Sequence, residues 1–255
     1  MKIKKGFYCI GIFTVLLLCC PGHAQAASYP PMAEALAALK SDNDVTVTTH
    51  FMWSWLDVYY AFEPADRTPA QGFIFYPGGK VDPRAYAPLM HALAEKGYVS
   101  VIASMPADLA VLGYKRADAI MRKFPGIKKW AIGGHSLGGV MACRYAKDFT
   151  DKIDGVVLWA SYPSATFSLA EKSTEVISIS GSKDGLSTPA KITNSHNDLP
   201  ADTQFVVIDG GNHTQFGWYG NGSELQKGDN PADITRENQQ EQIVEATAGF
   251  LEQLK

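Results

Sequence analysis

Cysteine is almost missing from the body of this 255-residue chain: of four, Cys9, Cys19 and Cys20 fall within the first twenty residues, leaving only Cys143 beyond them. One thiol cannot close an intramolecular disulfide, so a hydrophobic core has to carry stability. Cys143 sits in an apolar helical pattern and reads as a small buried hydrophobe. Zinc-ligand spacing is missing, and so is a G-x-x-x-x-G-K-[ST] phosphate loop. Neither sign of charge dominates: 23 Lys and Arg against 26 Asp and Glu leave a formal net charge of -3 spread along the chain. That excludes a basic nucleic-acid footprint and an acidic tail. Glycine and proline are at ordinary levels, which excludes collagen-like and disordered classes. No internal repeat, low-complexity tract or interdomain linker interrupts the sequence, so a chain with 46% hydrophobic residues is expected to bury one core.

The longest apolar run is confined to the leader. Lys2, Lys4 and Lys5 precede an apolar stretch over 7–20, and Ala24-Gln25-Ala26 forms an A-x-A cleavage site. The run is too short to cross a hydrocarbon core of about 30 Å. Residues 1–26 are therefore expected to be a signal peptide, with the protein exported to the periplasm, medium or cell surface and no transmembrane span in its mature form. Leu17-Leu18-Cys19-Cys20 loosely resembles a bacterial lipobox, so a lipid anchor on Cys20 stays open as the alternative.

Residues 27–44 read as a short amphipathic helix and linker, ahead of a single domain over 45–255. Two runs rich in β-branched and aromatic residues, 45–48 and 55–60, suggest an opening antiparallel pair. From Gly72 onward strands and helices alternate, the mark of a mostly parallel sheet with helices on both faces. Expected strands are 73–76, 98–102, 129–132, 156–159, 176–179 and 205–208. Helices are expected after Asp82-Pro83, over 109–123, over 140–149, and at the end of the chain around Ile243, Phe250, Leu251 and Leu254.

Three motifs fall at strand ends. Gly134-His135-Ser136-Leu137-Gly138 is a G-x-S-x-G match entered by a strand and left by a helix. Such a turn holds serine in strained geometry, and side chains two residues before and after it would collide. Gly133 and Gly139 are expected to relax the turn further. A serine hydroxyl is a poor nucleophile until a base takes its proton. Gly210-Gly211-Asn212-His213 places an imidazole after the last strand, and its ordinary pKa of about 6.5 suits proton transfer. Gly181-Ser182-Lys183-Asp184-Gly185 supplies a carboxylate to orient that base, with Asp209 as the competing acid. An oxyanion hole needs two backbone N–H donors: Leu137 is one, and Gly79 of Pro77-Gly78-Gly79-Lys80 is the first choice for the other, with Lys80 second.

The chain order Ser136, Asp184, His213 is that of α/β-hydrolases. Together with Phe75-Tyr76-Pro77-Gly78-Gly79, these motifs resemble the bacterial α/β-hydrolases grouped with dienelactone-hydrolase-like proteins, over about 45–255. The resemblance implies an α/β-hydrolase fold. It departs in two places: dienelactone hydrolases proper use a cysteine nucleophile, so their substrate does not carry over, and a proline replaces the histidine often found before the oxyanion glycines. Only 161–172 would be available for a lid after Trp159, so no cap domain is expected.

The expectation is a carboxylesterase-like or lipase-like serine hydrolase. It would take a small-molecule ester through an acyl-enzyme, without cofactor, metal or nucleic acid. Transfer to another acceptor on the same triad, or a catalytically silent binding protein, remains open. Tyr162 and Trp218 are named for substrate binding, with Phe167, Phe216 and Tyr219 as further aromatics for a loop-shaped pocket. Asp229 and Asp233 are weighed as calcium ligands and not adopted.

Overall fold

The computed structural model describes residues 29–51, 58–221 and 224–254; the expected leader lies outside them, as do residues 55–57 of the second expected strand. Eight strands form one sheet: β1 (Val45–Phe51), β2 (Val58–Pro64), β3 (Gln71–Tyr76), β4 (Val99–Ala103), β5 (Lys129–His135), β6 (Gly155–Trp159), β7 (Glu175–Gly181) and β8 (Gln204–Ile208). Their order across the sheet is β1-β2-β4-β3-β5-β6-β7-β8. β1 pairs antiparallel with β2, and β2 antiparallel with β4; every later pairing is parallel. The helices are α1 (Ala33–Ala37), α2 (Ala87–Glu95), α3 (Arg116–Met121), α4 (Leu137–Asp148), α5 (Pro189–Asn194) and α6 (Arg236–Gln253).

The unbroken apolar runs split between the two sides of the sheet, because successive strand residues point to opposite faces. Phe73 and Phe75 join Trp159, Ile177 and Ile179 in a core covered by Leu89, Met90 and Leu93 of α2 and Ile243, Phe250 and Leu251 of α6. Ile74 and Tyr76 join Ile132, Val156 and Leu158 on the other side, under Ile120 of α3 and Met141, Ala142 and Tyr145 of α4. Both faces are buried, which is why runs such as 73–76 and 156–159 carry no polar alternation. Cys143 is fully buried in the second core, and burial pushes its thiol pKa well up.

Several elements differ from the sequence expectation. The N-terminal helix shrinks to five residues. β2 runs past the expected 55–60 to Pro64, because β1 pairs with it as far as Val45↔Pro64. Asp82 does cap a helical start, accepting the Arg84 N–H at 3.0 Å, but the first turn is a 3-10 turn over Pro83–Tyr86 before α2 begins. The helix expected over 109–123 is a 3-10 turn over Ala110–Leu112 followed by the six-residue α3. Gly113 separates them, pressed against Pro106 and Met105 where a Cβ would lie 2.9 and 3.0 Å from its neighbours. Between β6 and β7 the chain makes only one 3-10 turn, Ala165–Phe167, so that segment lays no cap domain over the carboxyl ends of the strands. Among the described residues, no helix is long and apolar enough to cross a membrane.

Candidate active site

Parallel sheets gather their working loops outside the carboxyl ends of the strands, and the three motifs meet there. β5 ends at His135 and α4 begins at Leu137, leaving Ser136 to turn the chain in a single residue at φ 52° and ψ -122°. The flanking glycines are required by close approach. A Cβ on Gly138 would lie 2.0 Å from the Tyr76 carbonyl oxygen, and one on Gly134 would lie 2.5 Å from the Gly138 carbonyl carbon. Gly133 and Gly139 do not relax the turn as expected. They are packing positions, where a Cβ would meet the Val157 carbonyl at 2.3 Å and the Ser161 hydroxyl at 2.5 Å. Ser161 also donates to the Ser136 carbonyl at 2.7 Å, tying the elbow to the end of β6.

His213 and Asp184 are both fully buried at their side chains, with Nδ1 and Oδ2 2.8 Å apart. The other Asp184 oxygen accepts the Leu186 and Ser187 N–H groups, each at 2.7 Å. An ionised Asp184 places the imidazole proton on Nδ1 and the lone pair on Nε2. Nε2 is buried and has no hydrogen-bond partner among the described residues, Ser136 Oγ included. Such contacts often tighten only when substrate binds. The base nevertheless lies beside the elbow: its ring centroid is 4.4 Å from that of His135, the residue preceding Ser136. Asp209, the competing acid, is exposed and accepts from the Ser182 hydroxyl at 3.0 Å.

The loop after β3 contributes one free donor. Gly78 N–H donates to the Tyr86 hydroxyl at 3.0 Å, and Lys80 N–H to the Asp108 carbonyl at 2.9 Å, so the second-choice donor is already used. Gly79 N–H, like Leu137 N–H at the start of α4, has no acceptor among the described residues. The two residues are neighbours, since a Cβ on Gly79 would sit 3.1 Å from Leu137 Cδ2. Two neighbouring residues whose N–H groups have no acceptor among the described residues, one of them at the positive end of a helix, make a candidate anion-binding corner.

Tyr86 and His135 form a buried support under this corner that sequence reasoning did not assign. Tyr86 accepts from Gly78 and keeps its hydroxyl hydrogen available to His135 Nδ1, 2.9 Å away. Burial holds the tyrosine pKa well up and the histidine pKa well down. The neighbouring His213 lowers the histidine further, against a weaker opposing main-chain contact. His135 therefore stays neutral, as an acceptor at Nδ1 must. Its ring also stacks on Phe216, 5.7 Å between centroids and 9° between planes.

The aromatics expected around a pocket divide. Tyr162 is half-buried just after β6, at the same end of the sheet as the elbow. Trp218 does not face substrate: its indole N–H donates to Gln240 of α6 at 2.5 Å, and it lines a groove of about 480 Å³ with Pro88, Leu89 and Val244, between α2 and α6. Gly217 is extended, and Trp218 N–H is taken by the Ala85 carbonyl at 2.7 Å, which docks this residue beside the start of α2. Phe216 and Tyr219 are fully buried in the core, and Phe167 packs beside Arg144. The calcium idea also fails on the donor set. Asp229 is occupied by N–H and O–H donors, and Asp233 pairs with Lys183 at 2.8 Å.

Residues 72–241 match the profile of the Alpha/beta hydrolase family. The chain belongs to that family. Solved structures of other α/β hydrolases agree with the fold. A dienelactone hydrolase from Anabaena variabilis superposes with a TM-score of 0.61 at 13% identity, covering 83% of this chain and 98% of its own. A thermophilic esterase from the planctomycete Thermogutta terrifontis gives 0.55 at 15%, covering 82% and 92%. Est1E from Butyrivibrio proteoclasticus, solved with ferulic acid, gives 0.58 at 13%, covering 78% and 98%. No curated protein sequence matches this α/β hydrolase.

Proposed function

We propose that this α/β hydrolase is an exported serine hydrolase that cleaves carboxylic-ester-type bonds through an acyl-enzyme on Ser136. The observation that carries the reading is the pair of unpartnered Gly79 and Leu137 N–H groups beside a strained serine, with a buried Asp184–His213 pair behind it. In the first step Ser136 Oγ bonds to the carbonyl carbon while His213 Nε2 takes its proton. The carbonyl oxygen becomes an oxyanion held by the two N–H groups, and Asp184 stabilises the imidazolium. Collapse of the intermediate breaks the ester C–O bond, and His213 returns the proton to the leaving alcohol. Water then repeats the sequence to release the acid. An uncapped strand end favours accessible esters, with Tyr162 the aromatic left to border them.

The test is labelling of the mature protein with a fluorophosphonate beside a Ser136→Ala control. Labelling confined to the wild type, followed by turnover of p-nitrophenyl esters of graded chain length, supports the reading; equal labelling of both proteins removes it. Export and its processing route are read from the mass of the mature N-terminus, which distinguishes cleavage after Ala26 from a lipidated Cys20.

A further inference from the structure

Asp184 and His213 stand on different loops, after β7 and after β8, and their 2.8 Å contact depends on how those loops sit against each other. A third segment, 226–230, is laid across both. Asn230 Nδ2 donates to the Lys183 carbonyl at 3.0 Å, and Asn212 Nδ2 donates to the Asn230 carbonyl at 2.7 Å. At Gly185 the strap makes backbone-to-backbone contact, since a Cβ there would lie 2.5 Å from the Gly228 carbonyl oxygen.

Asp229 is the centre of the strap. Its Oδ1 accepts Gly185 N–H at 3.0 Å and His213 N–H at 3.3 Å. Its Oδ2 accepts Thr214 N–H at 2.8 Å and the Thr214 hydroxyl at 2.7 Å. The Thr214 oxygen in turn accepts Gln226 N–H at 2.9 Å, which leaves its hydrogen for Asp229. One carboxylate thus holds the residue after the candidate acid, the candidate base and the residue after the base. A carboxylate has about four lone-pair sites, and four donors fill them. An asparagine offers acceptors on one side only, and its amide hydrogens would face the N–H groups on the other.

We propose that Asp229 is a positioning residue that sets the separation of the acid and base loops, and so keeps Nδ1 of His213 on Asp184. The proposal rests on the serine-hydrolase reading. Loss of fluorophosphonate labelling in Ser136→Ala, established first, keeps a failure of that reading distinct from a failure of this one.

The test compares wild type and Asp229→Asn for kcat and KM on a p-nitrophenyl ester, and for the downfield proton resonance of the His213 Nδ1–H. Misplacing a reacting group by about 1 Å costs on the order of 100-fold. The expected result is therefore a kcat lower by about 10- to 100-fold at unchanged KM, with the Nδ1–H resonance lost to exchange. An unchanged kcat overturns the proposal. So does a fallen kcat with the resonance intact, because Asp229 would then be acting elsewhere. Should circular dichroism show Asp229→Asn unfolded, Thr214→Val removes one of the four donors, and the same two readouts and criteria apply to it.

Discussion

Asp184→Asn is the substitution for which the structure dictates the outcome most tightly. The native carboxylate does two jobs: one oxygen takes two backbone N–H groups at 2.7 Å, the other takes His213 Nδ1 at 2.8 Å. An amide has one oxygen for both. If that oxygen faced the imidazole, the NH2 group would point at two buried N–H donors, each left unsatisfied at a cost of about 1–3 kcal/mol. The oxygen therefore stays with Leu186 and Ser187, and the NH2 turns to Nδ1. Nδ1 must then accept, the ring proton moves to Nε2, and the base presents a hydrogen to Ser136 instead of a lone pair. The corresponding substitution in a serine protease lowers kcat by about 10⁴, which is about 5 kcal/mol of transition-state stabilisation. The second-order rate of fluorophosphonate labelling is expected to fall by that order, with the fold retained. Asp209→Asn is the control, since its carboxylate meets only the Ser182 hydroxyl and it should label like wild type. A labelling rate for Asp184→Asn within tenfold of wild type would refute the assignment.

Two further outcomes follow from the buried support beneath the anion-binding corner. Tyr86→Phe strips the acceptor from Gly78 N–H and the donor from His135, so unfolding in urea should show a loss of about 1–3 kcal/mol, and turnover should drop as the Gly79 loop slackens. Unchanged stability would mean that the hydroxyl bridges nothing. His135 has a folded pKa held below its unfolded value of about 6.5. The unfolded state therefore binds the extra proton, and its stabilising contribution is complete above that pH and is lost as pH falls through and below it, by up to about 1.4 kcal/mol per pH unit. Urea midpoints measured from pH 7.5 down to 5 should decline, and His135→Gln should flatten that decline; an equal slope in the variant would count against it.

The strand ends and the elbow were legible because their signals are local. Apolar runs such as 73–76 have to be buried on both sides whatever lies against them, and the elbow is read from five consecutive residues, although what excludes a side chain at Gly138 is the Tyr76 carbonyl at the end of β3. The sequence favours Asp184 over Asp209 although both follow strands; the burial of Asp184 against His213 and the exposure of Asp209 are tertiary facts. Trp218 misled for a related reason. An aromatic five residues after a histidine looks like a pocket wall, but its main chain is docked on Ala85 and its indole on Gln240 of α6. The helix expected over 109–123 was overestimated because the apolar spacing there is helical while Gly113 is wedged against Met105 and Pro106.

The sequence by itself determined a mostly parallel α/β sheet, the serine at a strand-to-helix turn, and the order in which Ser136, Asp184 and His213 arrive at strand ends. Tertiary structure alone decided which N–H group of the loop after β3 has no acceptor among the described residues. Tyr86 and Asp108 take those of Gly78 and Lys80 and leave that of Gly79. It also decided the use of Asp229, whose four donors come from loops 15 to 44 residues away. Periodicity acts between near neighbours and is written into the residue order. Hydrogen-bond partners across loops exist only once the sheet has brought the loops together.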